Sequence, residues 1–246
     1  MPHFFINTKN ISNDLVIIDD KENYQHIARS LRAKIGENIK MIDENRIRYE
    51  GKISEITKDK INVKIEKQYP SENYLKFDLY LAQAPLRSDC QVLLIEKATE
   101  LGVKGIYPIY TDNCALTKST IEKKIPKWQK TMYEASKQCE RSAVPECFNL
   151  TTLEKLIESN NFDRIIAFCE RDYKLSMKEY FSKNIIKNGE KILVIVGPEG
   201  GFSKREFELF EKSGIIMLSL GDLILKAETA VIVGLGNIIY EFSNNK

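Results

Sequence analysis

Histidine is nearly absent from this chain: His3 and His26 are the only two among 246 residues. The five cysteines, Cys90, Cys114, Cys139, Cys147 and Cys169, are odd in number and form no Cys-x-x-Cys pair. Neither a zinc centre nor a disulfide framework fits that inventory. The cysteines read as small, buried or half-buried thiols, and no metal is expected. No apolar run reaches membrane-spanning length, so no membrane partner is expected either. The opening residues, Met1-Pro2-His3-Phe4-Phe5-Ile6, turn polar too soon for a signal peptide, which makes the cytoplasm the expected location. Repeats and low-complexity tracts are missing. So is a dominant charge: 37 Lys and Arg stand against 35 Asp and Glu, a net +2 that alone says nothing about nucleic acid.

What is present is an ordinary globular composition, 43% hydrophobic and 29% charged, long enough for one large domain or two smaller ones. Residues 1–70 read as short strands over 14–18, 38–42, 48–53 and 60–65, separated by polar turns. The last alternates apolar and charged residues, the mark of a strand with one wet face. A helical turn over 24–32 interrupts them, with Ile27 and Leu31 on its inner face and Arg29 and Arg32 together at i, i+3. A small β-barrel with a basic, exposed turn can read nucleic acid, and a solvated arginine pair fits equally. The segment 69–73, with Pro70 in a polar stretch, reads as a linker.

Beyond it the pattern changes to alternating strands and helices. Residues 77–82 form a strand, Ser88-x-x-Gln91 is a capping box opening a helix to Leu101, and Gly102 closes that helix. Residues 104–110 make the next strand, so the sheet is parallel here. Between Lys118 and Arg141 six lysines and one arginine face three glutamates. Residues 121–139 fit one helix with Ile125, Trp128, Met132, Ala135 and Cys139 on one face. Lys123, Lys127, Lys130 and Lys137 fall on another, either a solubilising face or a phosphate contact. Pro145 ends the element. A strand over 164–169 and a helix over 175–186 follow, and a final apolar helix spans 229–242, with Gly234 and Gly236 where another helix could approach closely.

Between those last helices, residues 191–230 hold two apolar strands, each emptying into a glycine turn. The first turn is Gly197-Pro198-Glu199-Gly200-Gly201; the second runs from Gly221 to Ala230. Loops at the carboxyl edge of a parallel sheet are where open α/β sheets bind ligands. The glycine spacing matches neither the dinucleotide fingerprint nor the P-loop, whose lysine is missing from Gly201-Phe202-Ser203. What remains is exposed backbone, a second capping box at Ser203 and Glu206, and an aliphatic wall from Leu223, Ile224 and Leu225. Such a lining suits a flat, uncharged ring such as adenine, although two tight turns that merely reverse the chain fit the pattern too.

Gly197-Pro198-Glu199-Gly200-Gly201-Phe202-Ser203, with Leu220-Gly221 and Ile224-Leu225-Lys226-Ala227-Glu228-Thr229-Ala230, resembles the RsmE family. Leu31-Arg32 with Ile35-Gly36 is similar to that family's N-terminal motif. The stretch from Glu96 to Val103 resembles its central motifs, as do Trp128-Gln129-Lys130, Glu134-Ala135 and Gln138-Cys139-Glu140-Arg141. The resemblance implies an α/β fold: a PUA-like β-barrel over 1–70, then a SPOUT methyltransferase domain over 74–246 with a parallel sheet and a trefoil knot. It implies S-adenosylmethionine as cofactor, methylation of uridine N3 in 16S ribosomal RNA of the small subunit, and a homodimer. The methyl donor would be held by Phe168, by Gly197, Pro198, Glu199, Gly200 and Gly201, and by Ser219, Leu220, Gly221, Ile224, Leu225, Ala227, Thr229 and Ala230. The chain departs from the family pattern at Leu223 and Lys226, where arginines are usual. A sister SPOUT enzyme acting on tRNA or another nucleotide, or a non-catalytic assembly factor on the same scaffold, are the alternatives.

The implied reaction needs the lone pair of uridine N3, which carries a proton. Arg141 and Lys226 are the expected stabilisers of the resulting anion. Glu228 is either a base or an anchor hydrogen-bonded to loop amides. Arg29, Arg32, Lys123, Lys127 and Lys130 are the expected RNA contacts, acting through phosphates.

Overall fold

A computed structural model describes residues 3–71, 75–87, 89–170 and 175–243. The chain divides into two compact units, one of residues up to 73 together with 136–143, the other of the remainder.

The first unit is a six-stranded sheet. Its strands are β1 (His3–Phe5), β2 (Ile11–Ser12), β3 (Leu15–Ile18), β4 (Asn38–Ile42), β5 (Ile47–Ile56) and β6 (Ile61–Pro70), in the order β1-β4-β5-β6-β3-β2. Only β1 and β4 run parallel. Alternation places Ile61 and Val63 of β6, and Ile39 and Met41 of β4, in a core with Phe4, Val16, Ile18 and Ile53, while Lys64 and Lys40 point to water. β6 continues through Tyr69 and Pro70, which pair with Arg48 and Ile47, so the expected linker begins no earlier than Ser71. Ladder pairing outweighs the polar composition there. Residues 72–73 of that linker lie outside the described residues.

Helix α1 (Lys21–Gln25) is capped by Asp20, whose carboxylate accepts from the Asn23 N–H at 2.8 Å, and runs into a wide turn over His26–Ser30. The helical pattern stops before Arg32, which has φ +51. Ile27 is buried as expected, but Leu31 is exposed, and Arg29 and Arg32 do not share a helical face. Both arginines are exposed.

The second unit is a parallel sheet in the order β10-β8-β7-β12-β11-β13, with β9 paired to β8. Its elements run β7 (Asp78–Gln83), α2 (Asp89–Glu100), β8 (Gly105–Tyr110), α3 (Lys118–Gln138), β9 (Glu146–Cys147), β10 (Thr151–Thr152), α4 (Leu153–Glu158) and β11 (Arg164–Phe168). Then come α5 (Met177–Phe181), β12 (Lys191–Val196), α6 (Lys204–Lys212), β13 (Ile216–Leu218) and α7 (Ala227–Phe242). β12 lies between β7 and β11 and is buried on both faces, which its unbroken run of Ile, Leu and Val requires. Ile192, Val194 and Val196 face Leu94, Trp128, Val231 and Leu235; Leu193 and Ile195 face Leu153, Leu156 and Phe210.

Several helices differ from their sequence pattern. Ser88 of the expected capping box lies outside the described residues, while the Gln91 side chain accepts from the Leu86 N–H at 2.7 Å. α3 ends at Gln138, not at Pro145, because Glu140 takes a left-handed conformation, φ +55. Lys123, Lys127 and Lys130 are exposed, but Lys137 is 1% exposed, its ammonium 5.3 Å from the centre of the Phe4 ring. The last turn of α3 groups with the first unit, which covers that lysine. The helix expected over 175–186 shrinks to α5, held by a Ser176–Glu179 capping box. Gly234 faces the Phe168 ring of β11, where a Cβ would overlap the ring, so it admits a strand side chain and not a second helix. Gly236 has nothing within 4 Å of a Cβ.

Gly234→Ala is therefore expected to lower unfolding stability by about 1–3 kcal/mol through overpacking. Gly236→Ala should instead hold or gain up to about 1 kcal/mol through helix propensity. Urea midpoints of the two variants check the contrast.

His3 is 1% exposed with neither ring nitrogen hydrogen-bonded, and burial, with Arg48, Lys40 and Lys137 nearby, lowers its pKa to about 4 against the opposing pull of Glu140. The unfolded chain then binds a proton below pH 6.5 that the folded chain refuses. This contribution is complete above pH 6.5 and is lost as pH falls towards 4, by about 3 kcal/mol in all. Urea unfolding of wild type and His3→Phe between pH 7 and 4 should show a shallower loss for the variant.

Candidate functional site

The carboxyl ends of β11 and β12 and the start of α7 border a cavity of about 790 Å³, the size of a small-molecule site. Its walls are Val196 and residues 197–202, Phe168 at the end of β11 and Glu170 beyond it, Cys90 of α2, Phe207 of α6, and residues 224–228 with Ala230.

The first loop is built from backbone held by side chains of other strands. Gly201 takes a left-handed conformation, φ +67, and its N–H closes a turn onto the Pro198 carbonyl at 3.0 Å. Buried Gln83, at the end of β7, donates to the Gly197 carbonyl at 3.2 Å. Asn113 donates to the carbonyls of Gly200 and Gly201 at 3.2 and 3.1 Å, and a Cβ on Gly200 would stand 3.1 Å from the Asn113 Cβ. The Glu199 carboxylate accepts from the Arg87 N–H at 3.0 Å.

The expected capping box at the start of α6 is present. Ser203 Oγ accepts from the Glu206 N–H at 3.2 Å, and Glu206 Oε2 accepts from the Ser203 N–H at 2.8 Å. Glu206 is fully buried, and its other oxygen accepts from the Asp112 N–H at 2.9 Å, joining the loops after β12 and β8. Arg205 bridges Asp112 and Glu154, which holds both carboxyls below the usual carboxylate range.

The second loop is open. Leu223 is 81% and Ile224 53% exposed. Lys226 is the N-cap residue of α7 and makes no side-chain capping bond, so the first turn of a sixteen-residue helix, with Ala227 and Glu228 in the cavity lining, has no side-chain acceptor at the cap. That end favours an acceptor or anionic group of a ligand.

Of the residues singled out from sequence, Phe168, Gly197, Pro198, Glu199, Gly200, Gly201, Ile224, Leu225, Lys226, Ala227, Glu228 and Ala230 line this one cavity. Ser219, Leu220, Gly221 and Thr229 do not line it; Ser219 Oγ instead exchanges hydrogen bonds with the backbone of Gly221. Arg141 is not part of the lining, and its Nε donates to the Ala143 carbonyl at 3.2 Å. Glu228 makes no hydrogen bond to loop amides among the described residues, so the anchoring role expected for it is absent there. Cys90, Glu170, Val196, Phe202 and Phe207 line the cavity without having been named as site residues from sequence. A sheet-edge argument carried to the residues after β11 would have found Glu170. Nothing in the local pattern marked Cys90.

The protein thus combines a parallel α/β sheet carrying a cofactor-sized cavity at its carboxyl edge with a mostly antiparallel β unit. The family model of the RNA methyltransferase domain matches residues 73–239, and that of the RNA methyltransferase PUA domain matches residues 18–66. Ribosomal RNA small subunit methyltransferase E of Mesomycoplasma hyopneumoniae is 30% identical over 235 residues, 94% of this chain and 96% of the relative. Its namesake from Rickettsia conorii is 27% identical, covering 95% and 93%. The structure of the Neisseria gonorrhoeae namesake, bound to S-adenosyl methionine, superposes with a TM-score of 0.83 over 98% of this chain and 97% of that one, at 22% identity, a likeness of fold. The chain belongs to the ribosomal RNA small subunit methyltransferase E family of RNA methyltransferases.

Replacing Glu206 with Ala leaves two part-buried N–H groups without their acceptor and is expected to lower unfolding stability by about 2 kcal/mol. Glu208→Ala, on the exposed side of the same helix, should stay within about 0.5 kcal/mol. Equal urea midpoints for the two variants would contradict this account of the loop.

Proposed function

We propose that this chain transfers a methyl group from S-adenosylmethionine to N3 of a uridine in 16S ribosomal RNA of the small subunit. The observation that carries this reading is the cavity, in which both glycine loops and the uncapped start of α7 meet. Its fit to the donor rests on this lining: open amides for the acceptor atoms of adenine and the amino-acid carboxylate, and aromatic and aliphatic walls for the ring. Phe168, the 197–201 loop, Ile224, Leu225, Ala227 and Ala230 would hold it. Ser219, Leu220, Gly221 and Thr229 would act by shaping the second loop. The relatives' name, and the donor in the Neisseria gonorrhoeae structure, support the same reading.

When bound, S-adenosylmethionine supplies a methyl on a sulfonium, a leaving group that requires no metal. The chain's own residues have two tasks. One is to take or tolerate the loss of the N3 proton, for which Glu228 is the proposed acceptor and Lys226 the proposed counter-charge for the uracil oxygens. Lysine at 226 offers a point charge without the planar fork of an arginine. The other task is alignment, for which the loops are pinned by Gln83, Asn113 and Glu206.

Arg141, with Lys123, Lys127 and Lys130, is proposed to contact RNA and not the donor. The N-terminal unit, read as the RNA-binding PUA-like domain of residues 1–70, would add Arg29 and Arg32. The catalytic domain is taken as 74–246, knotted through its second loop and working as a cytoplasmic homodimer. Among the described residues no helix is long and apolar enough to cross a membrane.

The test is methyl transfer from labelled S-adenosylmethionine to small subunits, and to their naked RNA, from cells lacking the protein, with mass spectrometry of the methylated nucleoside. 3-Methyluridine in 16S RNA is the expected product. A labelled tRNA, or another nucleoside, would assign the chain to a sister activity, and no label at all to a binding role. Arg32→Ala should weaken RNA binding about tenfold, the scale of one or two lost phosphate contacts, with donor affinity unchanged in calorimetry.

A further inference from the structure

The cavity is acidic within a chain that is slightly basic. Its lining carries three carboxylates, Glu170, Glu199 and Glu228, against one ammonium, Lys226. Each carboxylate comes from a different element: Glu170 follows β11, Glu199 lies in the loop after β12, and Glu228 sits in the first turn of α7. Glu170 lies across the left-handed glycine of the first loop, its Oε1 3.5 Å from where a Cβ on Gly201 would stand. Glu199 has one backbone partner, the Arg87 N–H. Glu228 makes no hydrogen bond among the described residues and lines a cavity with Phe168, Phe202 and Phe207 in its walls.

The α-ammonium of the amino-acid part, common to donor and product, can engage one of these carboxylates and leaves two unmatched. Amides and aromatic walls serve the ring, and the positive end of α7 serves a carboxylate. A set of carboxylates from three elements acts on a cation. The methyl donor and its demethylated product differ in one respect that such a set detects. The donor carries a sulfonium, an ammonium and a carboxylate, net +1; the product has lost the methyl and the sulfur charge and is neutral overall. The rest of the two molecules is the same.

We propose that Glu170 and Glu228 are specificity determinants that favour the charged donor over the neutral product, so that loss of the sulfur charge weakens retention of the spent molecule. The inference rests on the reading of this cavity as the S-adenosylmethionine site. The walls matter because a charge pair partly screened from water at several ångströms still changes affinity measurably, whereas a fully solvated pair does not. Lys226 works in the opposite direction and limits the preference. The arrangement is a product-release device: the transfer itself removes the charge that the carboxylates hold.

Calorimetry without RNA reads this apart from turnover, using the full chain, S-adenosylmethionine, S-adenosylhomocysteine and sinefungin, whose amine replaces the sulfonium and keeps the charge. For Glu170→Gln and Glu228→Gln the Kd for S-adenosylmethionine and sinefungin should rise about three- to tenfold each, as expected for one partly screened charge. The Kd for S-adenosylhomocysteine should change by less than about twofold, and added salt should narrow the wild-type preference. Lys226→Gln should widen it. Parallel weakening of all three compounds, or no change in any, would overturn the proposal while leaving the cofactor site intact. A wild-type chain that binds none of the three would remove the cofactor reading and this inference together. Thermal unfolding of each variant without ligand separates loss of fold from loss of preference.

Discussion

Glu206 carries no exposed surface, and each of its carboxylate oxygens takes one backbone N–H, from Ser203 on its own helix and from Asp112 after β8. Burying a carboxylate is costly unless such partners are supplied, so the two loops are fixed to each other wherever this side chain is placed. One wall of the cavity is built on that tie. It sets the entry angle of α6, and with it Phe202 and Phe207, which stack edge to face at 6.0 Å between ring centres. Asn113 lies one residue beyond Asp112 and from there reaches the carbonyls of Gly200 and Gly201. The glycine loop is shaped less by its own flexibility than by acceptors and donors brought from neighbouring strands.

The elements easiest to read from sequence were those whose signal is local. The Ser203–Glu206 capping box, the buried run of β12 and the alternation of β6 are each written in a few adjacent residues, and each stands where the pattern put it. The misreadings share another cause. Lys137 has the helical spacing of a solvated stripe, yet Phe4, more than a hundred positions away, covers it. Gly234 invited a helix partner and met the ring of Phe168. Arg32 continued a helical pattern that its own left-handed backbone had already ended. Tertiary contact decided all three cases, and no window of neighbouring residues contains it.

The cavity shows the same division. Glycines and the aliphatic stretch 224–225 were visible as a backbone-lined pocket. Gln83, Asn113 and Glu170 were not, because each reaches the site from a strand end set by sheet order. The order is the informative quantity: β12 enters between β7 and β11, so the ends of β11 and β12 open onto one space while Gln83 at the end of β7 pins the glycine loop. Charge follows the topology too. A chain of nearly balanced composition gathers acids at this one edge and exposed lysines along α3.

The strand that anchors the site, β12, is also a segment prone to pairing if exposed. Five consecutive apolar residues with high strand propensity would template pairing with another chain if they stood at a sheet margin. Here that segment lies inside the sheet, and the path through the sheet ends in β10, two residues long, and β13, three residues long. Margins that short offer few unpaired backbone groups to a passing strand. The sheet order that assembles the cavity thus also shields the chain against edge-to-edge aggregation at the concentrations of a crowded cell.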